Sequence, residues 1–288
     1  MHYLNKFLIF VMVSLITLPA NAGWLDLNMP QGVTDISQEV FGLHMLILWI
    51  CVAIGVLVFG AMFWSILMHR KSKGVKPATF HESTSLEFLW TIVPFVILIG
   101  MAIPATKTLI KMYDHSDSEI HIKITGYQWL WGYEYLNTDV SFYSKLSTPY
   151  DEIYNKKEKN INYLQEVDNQ LVVPINKKIR FLLTSNDVLH AWWVPDLALK
   201  KDAIPGFINE MSVVINEPGI YRGRCAELCG RHHGFMPIVI KAVAEDEYDE
   251  WLANAGKDLS LIHISEPTRL LSSGDAGRGV EKKRGGGG

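Results

Sequence analysis

The chain has 288 residues, 49% of them apolar, and a formal net charge of −3. That length allows one or two domains. The apolar residues crowd into the first 112 positions, which excludes an evenly mixed soluble chain and suggests a membrane anchor followed by a water-facing part.

The N-terminus has the form of a secretory signal. Lys6 sits in the n-region, Phe7 to Leu18 is an apolar core, and Ala20-Asn21-Ala22 supplies small residues at −3 and −1. Residues 1–22 are expected to be cleaved, leaving Gly23 outside the cytoplasm; a short anchor is the alternative. Phe41 to Met68 carries no Lys, Arg, Asp or Glu and is long enough to cross a bilayer. His44 and Cys51 within it read as packed helix residues rather than ligands. His69, Arg70, Lys71, Lys73 and Lys76 follow, and such a basic loop belongs on the cytoplasmic side. Phe88 to Ile110, containing Pro94 and Pro104, returns the chain to the outside. Residues 23–115 therefore read as a transmembrane hairpin with spans of about 41–68 and 88–110. Glu87 opens the second span, and a carboxylate at a membrane boundary is a candidate for a proton path. The plainer reading is an interfacial carboxylate favoured by the helix N-terminus.

From Asp117 the pattern changes. Ile120, Ile122 and Ile124 alternate with His121 and Lys123, the signal of a half-buried strand. Gln128 to Tyr135 continues as an aromatic strand, and Ser141 to Asn162 reads as a long polar surface connection. Leu171 to Pro174, Ile179 to Leu183, Glu210 to Asn216 and Met236 to Val243 read as short strands, with His190 to Pro195 ending a segment and Asp246 to Ala253 as a short helix. Short strands with turns every ten or so residues predict a β-sandwich or barrel over residues 117–256. From Asp117 to Glu250, 20 Asp and Glu stand against 14 Lys and Arg. This acidic excess would steer a basic partner and repel nucleic acid; ordinary solubility is the plainer account.

The chemistry concentrates in Cys225-Ala226-Glu227-Leu228-Cys229-Gly230-Arg231-His232-His233-Gly234-Phe235-Met236. Thiolate and thioether select copper or iron–sulfur clusters, and imidazole suits copper and zinc. The Met argues against zinc. Two cysteines four apart are one more than a single-copper site needs and could bridge two coppers. Taken alone, Cys225 and Cys229 also allow a disulfide in an exported domain.

Several motifs in this order resemble the subunit II family of cytochrome c oxidases, within the haem–copper superfamily, over roughly residues 23–256. Glu87-Phe88-Leu89-Trp90-Thr91-Ile92-Val93-Pro94 resembles the family's second membrane helix, and Gln128-Trp129-Leu130-Trp131 with Tyr133-Glu134-Tyr135 its aromatic segment. Asp187-Val188-Leu189-His190-Ala191-Trp192 and Lys201-Asp202-Ala203-Ile204-Pro205-Gly206 resemble its central loops. Cys225 to Met236 resembles its copper loop. The resemblance implies a membrane-anchored all-β protein: a two-helix hairpin carrying a cupredoxin-like Greek-key β-sandwich or barrel. It implies a dinuclear copper centre, CuA, held by His190, Cys225, Cys229, His233 and Met236 with the backbone carbonyl of Glu227, whose side chain would reach a magnesium ion shared with subunit I. His232 lies one place off the pattern. Trp129 matches the tryptophan that receives electrons, with a strand-core aromatic facing the same way as Trp131 as its alternative. Glu134, Asp168 and Asp187 match carboxylates of the cytochrome c docking surface, and Glu87 one at the mouth of a proton path.

The implied function is to accept electrons from cytochrome c and pass them to subunit I, where oxygen is reduced and protons are translocated. The implied partners are subunits I and III, cytochrome c and the membrane, with no nucleic acid. The implied location is a bacterial-type inner membrane, multi-pass, with the copper domain periplasmic. Arg224 and Arg231 depart from the pattern by flanking the loop with charge. A quinol-oxidase subunit II lacks the copper ligands. A Sco-type chaperone places its His after the Cys pair on a thioredoxin-like fold. Nitrous-oxide reductase needs a propeller. Residues 257–288 do not fit: Leu259 to Arg269 resembles sequencing-adapter read-through, and an assembly artefact or a flexible extension is expected there.

Overall fold

The computed structural model describes residues 28–76, 79 and 81–258. The expected signal segment, residues 1–22, and the tail beyond residue 258 lie outside the described residues. Residues 257 and 258 themselves complete the last helix.

Two long helices come first, α1 (Asp35–Met68) and α2 (Thr84–Met112). At about 1.5 Å per residue their 34 and 29 residues reach about 51 and 44 Å, more than the roughly 30 Å of a hydrocarbon core. Val56, Leu57 and Phe59 of α1 and Phe88, Val96 and Ile103 of α2 all stand exposed. An apolar surface on every side suits lipid and would be an association hazard in water. Both helices begin before the apolar runs that announce them. In α1 the reason is a capping box: Thr34 Oγ1 accepts from Ser37 N at 3.0 Å and Ser37 Oγ bonds the Thr34 amide at 2.9 Å, which starts the helix in a polar stretch.

The same cap ties the hairpin to the rest of the chain. Thr34 is buried, and its hydroxyl donates to the carbonyl of Leu197 at 3.3 Å. Val33 N bonds Asp196 O at 3.0 Å, Asn216 N bonds Val33 O at 3.2 Å, and the Asn216 amide bonds Asp35 Oδ1 at 2.9 Å. Lys111 of α2 pairs with Glu39 of α1.

The β domain contains β1 (Ile120–Tyr127), β2 (Leu130–Tyr135), β3 (Ser141–Ser144), β4 (Leu171–Pro174), β5 (Lys178–Ser185), β6 (His190–Val194), β7 (Leu199–Ala203), β8 (Asn209–Val214), β9 (Gly219–Cys225) and β10 (Pro237–Val243). They form two five-stranded sheets in the orders β3-β2-β1-β5-β8 and β4-β10-β9-β6-β7. The pairs β1–β5 and β4–β10 are parallel and the remaining neighbours antiparallel. This is the expected two-helix anchor with a cupredoxin-like sandwich. Alternation builds the core: Ile122, Ile124, Phe181 and Leu183 of one sheet and Trp192, Val194, Ile238 and Ile240 of the other are fully buried. Two buried polar tips stitch the sheets together. Tyr135 OH donates to Val172 O at 2.6 Å, and Trp192 Nε1 donates to Tyr133 OH at 3.3 Å. A closing helix, α3 (Glu245–Asp258), lays Tyr248 and Trp251 on the core, Trp251 at 5.3 Å from Tyr135.

Three details differ from the expected pattern. The stretch from Ser141 to Asn162 is not connection throughout, because β3 pairs with β2 and sends Phe142 and Ser144 inward. Its four residues are too few to show a period. His190 to Pro195 is not a segment end: His190 to Val194 is a full strand at the heart of the second sheet. The strands β7, Leu-Lys-Lys-Asp-Ala, and β9, Gly-Ile-Tyr-Arg-Gly-Arg-Cys, were not expected; β7 lies at the edge of its sheet, where exposed lysines are ordinary, and β9 lies at its centre.

Candidate metal centre

Three loops meet at one end of the sandwich: the β1–β2 turn with Gln128 and Trp129, the β5–β6 loop from Asn186 to Leu189, and the β9–β10 loop from Ala226 to Met236. His190 is the first residue of β6 and Cys225 the last of β9, and these strands are antiparallel neighbours with Trp192 opposite Cys225. The pairing sets Cys225 Sγ 3.9 Å from His190 Nδ1. The β9–β10 loop then folds back over them. Cys225 Sγ lies 3.3 Å from the Glu227 carbonyl and 3.9 Å from Cys229 Sγ. Cys229 Sγ in turn lies 3.4 Å from His233 Nδ1 and 3.5 Å from Met236 Sδ. Two sulfurs, two ring nitrogens, a thioether and a carbonyl thus converge, and His190, Cys225, Cys229 and Met236 are buried.

At 3.9 Å the sulfurs are far outside the roughly 2.05 Å of a disulfide bond, and both cysteines are free thiols. Their environments differ. Burial opposes charging His190, but the Asp187 carboxylate and the Cys225 thiolate outweigh it and push the imidazole up to about 9. Burial likewise opposes ionising Cys225, yet the His190 ring and backbone amides bring its thiol below the ordinary range. Cys229 moves the other way, pushed up by burial and by the neighbouring Cys225 charge. The site sets a raised imidazole and a lowered thiol beside a reluctant thiol, and a soft metal would replace their protons on binding.

The surroundings orient the donors. Asp187 Oδ1 takes the far ring nitrogen of His190 at 2.8 Å, while Asp187 also accepts from Gln128 N at 2.6 Å and Val188 N at 2.6 Å. That leaves Nδ1 facing the sulfurs, the carboxylate–imidazole arrangement that fixes a metal ligand's tautomer. Trp131 packs edge-on against His190 with centroids 5.9 Å apart. Gly126 lies under the ring: a Cβ there would come within 2.7 Å of His190 Cδ2. Trp129 does not share the direction of Trp131. It sits in the turn outside both strands, half-buried, and its indole N–H donates to Cys229 O at 3.2 Å; the Gln128 amide donates to the same carbonyl at 2.8 Å.

Two family models match this chain: the periplasmic domain of cytochrome c oxidase subunit II over residues 120–243, and the transmembrane domain of the same subunit over residues 22–108. The probable cytochrome c oxidase subunit 2 of Rickettsia conorii is 36% identical over 227 residues, 78% of this chain and 70% of that one. Cytochrome c oxidase subunit 2 of Cyanidium caldarium is 35% identical over 255 residues, 86% of this chain and 98% of that one. The chain belongs to the cytochrome c oxidase subunit II family. Among solved structures, the periplasmic domain of subunit II of cytochrome oxidase of Bradyrhizobium japonicum is 38% identical, with a TM-score of 0.44, covering 50% of this chain and 98% of that one.

A subunit II is a membrane protein and one component of a cytochrome c oxidase complex, and its family implies copper. The donor set fits that metal: paired buried thiols and a thioether are soft ligands, and both imidazoles present Nδ1. The other residues expected in this subunit II's sites are placed as follows. Glu87 stands exposed in the first turn of α2. Glu134 is half-exposed and ion-paired with Lys123 at 2.9 Å. Asp168 accepts from Lys145 N at 2.7 Å, and Lys145 follows Ser144, opposite Trp131, so Asp168 lies toward the donor end. Asp187 is there too, with its carboxylate engaged on His190. Glu227 directs its carbonyl to Cys225 and leaves its side chain exposed. His232 packs on Trp129 rather than on a sulfur. Sequence reasoning missed the service of Asp187 to His190, for which the three-residue spacing was a usable signal, and the contact of Gly126, for which there was none.

Proposed function

We propose that this subunit II holds a dinuclear copper centre, takes electrons from cytochrome c and passes them to subunit I for oxygen reduction coupled to proton translocation. The observation that carries the reading is the convergence of two unbonded thiols 3.9 Å apart, with an imidazole Nδ1 beside each. His190, Cys225, Cys229, His233, Met236 and the Glu227 carbonyl would hold the metal. When bound, it would supply one-electron redox chemistry.

The chain's own residues account for the rest. With the metal bound, both thiols would give up their protons and share its charge between them. Asp187 holds His190 against rotation, and the paired ends of β6 and β9 hold His190 and Cys225 at fixed separation. A rigid donor set that keeps its geometry lowers the reorganisation accompanying electron transfer. Trp129 would receive the electron at the surface, being half-exposed and hydrogen-bonded to the backbone of Cys229. Glu134, Asp168 and Asp187 would contribute to docking a basic cytochrome c. The exposed side chain of Glu227 would reach a magnesium ion shared with subunit I, and Glu87 would stand at a proton-path mouth. Subunits I and III would flank the hairpin, residues 23–115. Residues 117–256 would form the periplasmic copper domain of an inner-membrane, multi-pass protein exported by residues 1–22, with an artefactual or flexible tail following α3.

Copper analysis of the purified full chain tests this. Two coppers per chain are expected, and replacing Cys225 or Cys229 with Ser should abolish the paired stoichiometry. One copper per chain, or none, would contradict the proposal.

A further inference from the structure

His232 lies inside the metal-binding loop yet has no part in the proposed function. Its ring stands edge-on to Trp129, with centroids 4.7 Å apart and planes at 77°. On its other side it rests against Phe235 at 5.3 Å. We infer that His232 is a positioning residue for electron uptake: its ring braces the Trp129 indole in the pose that contacts Cys229. The inference rests on the reading of Trp129 as the electron-receiving residue.

Trp131 is fixed by the sandwich core, where it is fully buried. Trp129 lies in the β1–β2 turn and has no such packing on all sides. Beyond its packing against the edge of the core, three contacts orient its ring. Its N–H donates to Cys229 O at 3.2 Å. Its Cζ2 edge lies over Gly230, where a Cβ would come within 3.1 Å. The His232 ring closes the remaining flank. Without that ring, the flank of the indole away from the core would be held only by one hydrogen bond and one glycine, and the side chain would gain freedom to tilt.

The brace is itself fixed. His232 precedes a single turn of 3-10 helix, His233–Phe235, and Phe235 N donates back to His232 O at 2.8 Å. The same turn sends adjacent side chains to opposite jobs: His233 Nδ1 to Cys229 Sγ, and His232 to Trp129. Cys229 is the meeting point. Its carbonyl takes the indole N–H, and its own Cα and Cβ lead from that carbonyl to its sulfur. A docked donor that passes an electron to the indole therefore has a continuous bonded route to the metal, provided the indole stays in place. The ring's shape performs this role; its protonation state does not enter.

The test uses the assembled oxidase with reduced cytochrome c, comparing His232→Ala, His232→Phe and Trp129→Phe. The rate of copper reduction is followed by stopped flow, beside steady-state kcat and KM and the copper EPR signal. Displacing a reacting group by about 1 Å can cost about 100-fold, so an indole displaced part of the time should slow uptake by roughly three- to tenfold in His232→Ala. KM should stay within about twofold, because docking is untouched, and the copper signal should be that of the native protein. His232→Phe should recover most of the rate. A native rate in His232→Ala overturns the inference, as does a His232→Phe variant as slow as the Ala variant. Loss of the copper signal in both His232 variants also overturns it, by making His232 a ligand. A native rate in Trp129→Phe removes the underlying reading of Trp129 and the inference with it, which separates that failure from a failure of the brace alone.

Discussion

Replacing Asp187 with Asn should weaken copper binding without unfolding the domain. The carboxylate holds the far nitrogen of His190 at 2.8 Å and accepts two backbone amides, from Gln128 and Val188, each at 2.6 Å. Burial works against its charge, but these hydrogen bonds keep it below the usual carboxylate range. Asn preserves volume and one acceptor oxygen, so the two loops keep most of their contact. The charge that makes His190 basic is lost. In the metal-free protein the His190 imidazole should fall from about 9 toward its ordinary value of 6.5. Losing such a ligand-orienting partner typically costs 10- to 100-fold in metal affinity, which is about 1.4–2.7 kcal/mol. Asp187→Ala should lose this and also leave both amides without an acceptor, at about 1–3 kcal/mol of folding stability. Competition of the full chain with a chromophoric copper chelator gives the affinity, and thermal unfolding the stability. An Asn variant that binds copper within about twofold of the native chain would refute the role assigned to Asp187.

Further predictions address the fold around the site. Gly126→Ala should push a methyl into His190 and cost about 1–3 kcal/mol by overpacking, seen as a lower unfolding temperature together with copper loss; a native copper content at unchanged stability would show that the ring can move aside. Trp131→Ala should empty a fully buried core position and cost roughly 3–5 kcal/mol, whereas Trp129→Phe should leave the unfolding temperature nearly native. Thr34→Val should remove the cap of α1 and its link to Leu197 at about 1 kcal/mol, read as earlier thermal unfolding in detergent and faster proteolysis at the hairpin–domain junction. Copper affinity should rise with pH, and should go on rising beyond about 9, where the Cys229 thiol still holds the proton that burial and Cys225 keep on it. Below that value copper must displace the proton from His190 as well as those on the thiols, and chelator competition across pH would detect the opposite slope.

The donor loop was legible because its chemistry is local: Cys225, Cys229, His233 and Met236 fall within twelve residues, and no ordinary packing role explains that combination. His190 lies 35 residues upstream of Cys225, and no spacing rule reaches across that gap. Only the resemblance joined them, and the β6–β9 pairing supplies the physical reason. The hairpin was legible from apolar length, although its start was not, because the Thr34 capping box begins α1 in polar sequence. Asp187 shows the limit most clearly. A carboxylate in a loop reads as surface charge until its neighbours are known, and here its oxygens face a buried ring. Trp129 and Trp131 stand two apart and suggest one face, but the turn takes Trp129 out of the strand before β2 begins at Leu130. The strands β3, β7 and β9 were missed because four residues are too few for a period, Leu-Lys-Lys-Asp-Ala is too polar for a core pattern, and the glycines and arginines of Gly219–Cys225 hide its alternation.

The central claim is that the two thiols share two coppers. EPR spectroscopy of the full chain, purified in detergent and loaded with copper, addresses it directly. The account predicts a mixed-valence spectrum in which one unpaired electron is delocalised over two equivalent coppers, lost together in Cys225→Ser and Cys229→Ser. A spectrum of a single isolated cupric ion, or a signal that survives loss of either cysteine, would contradict it.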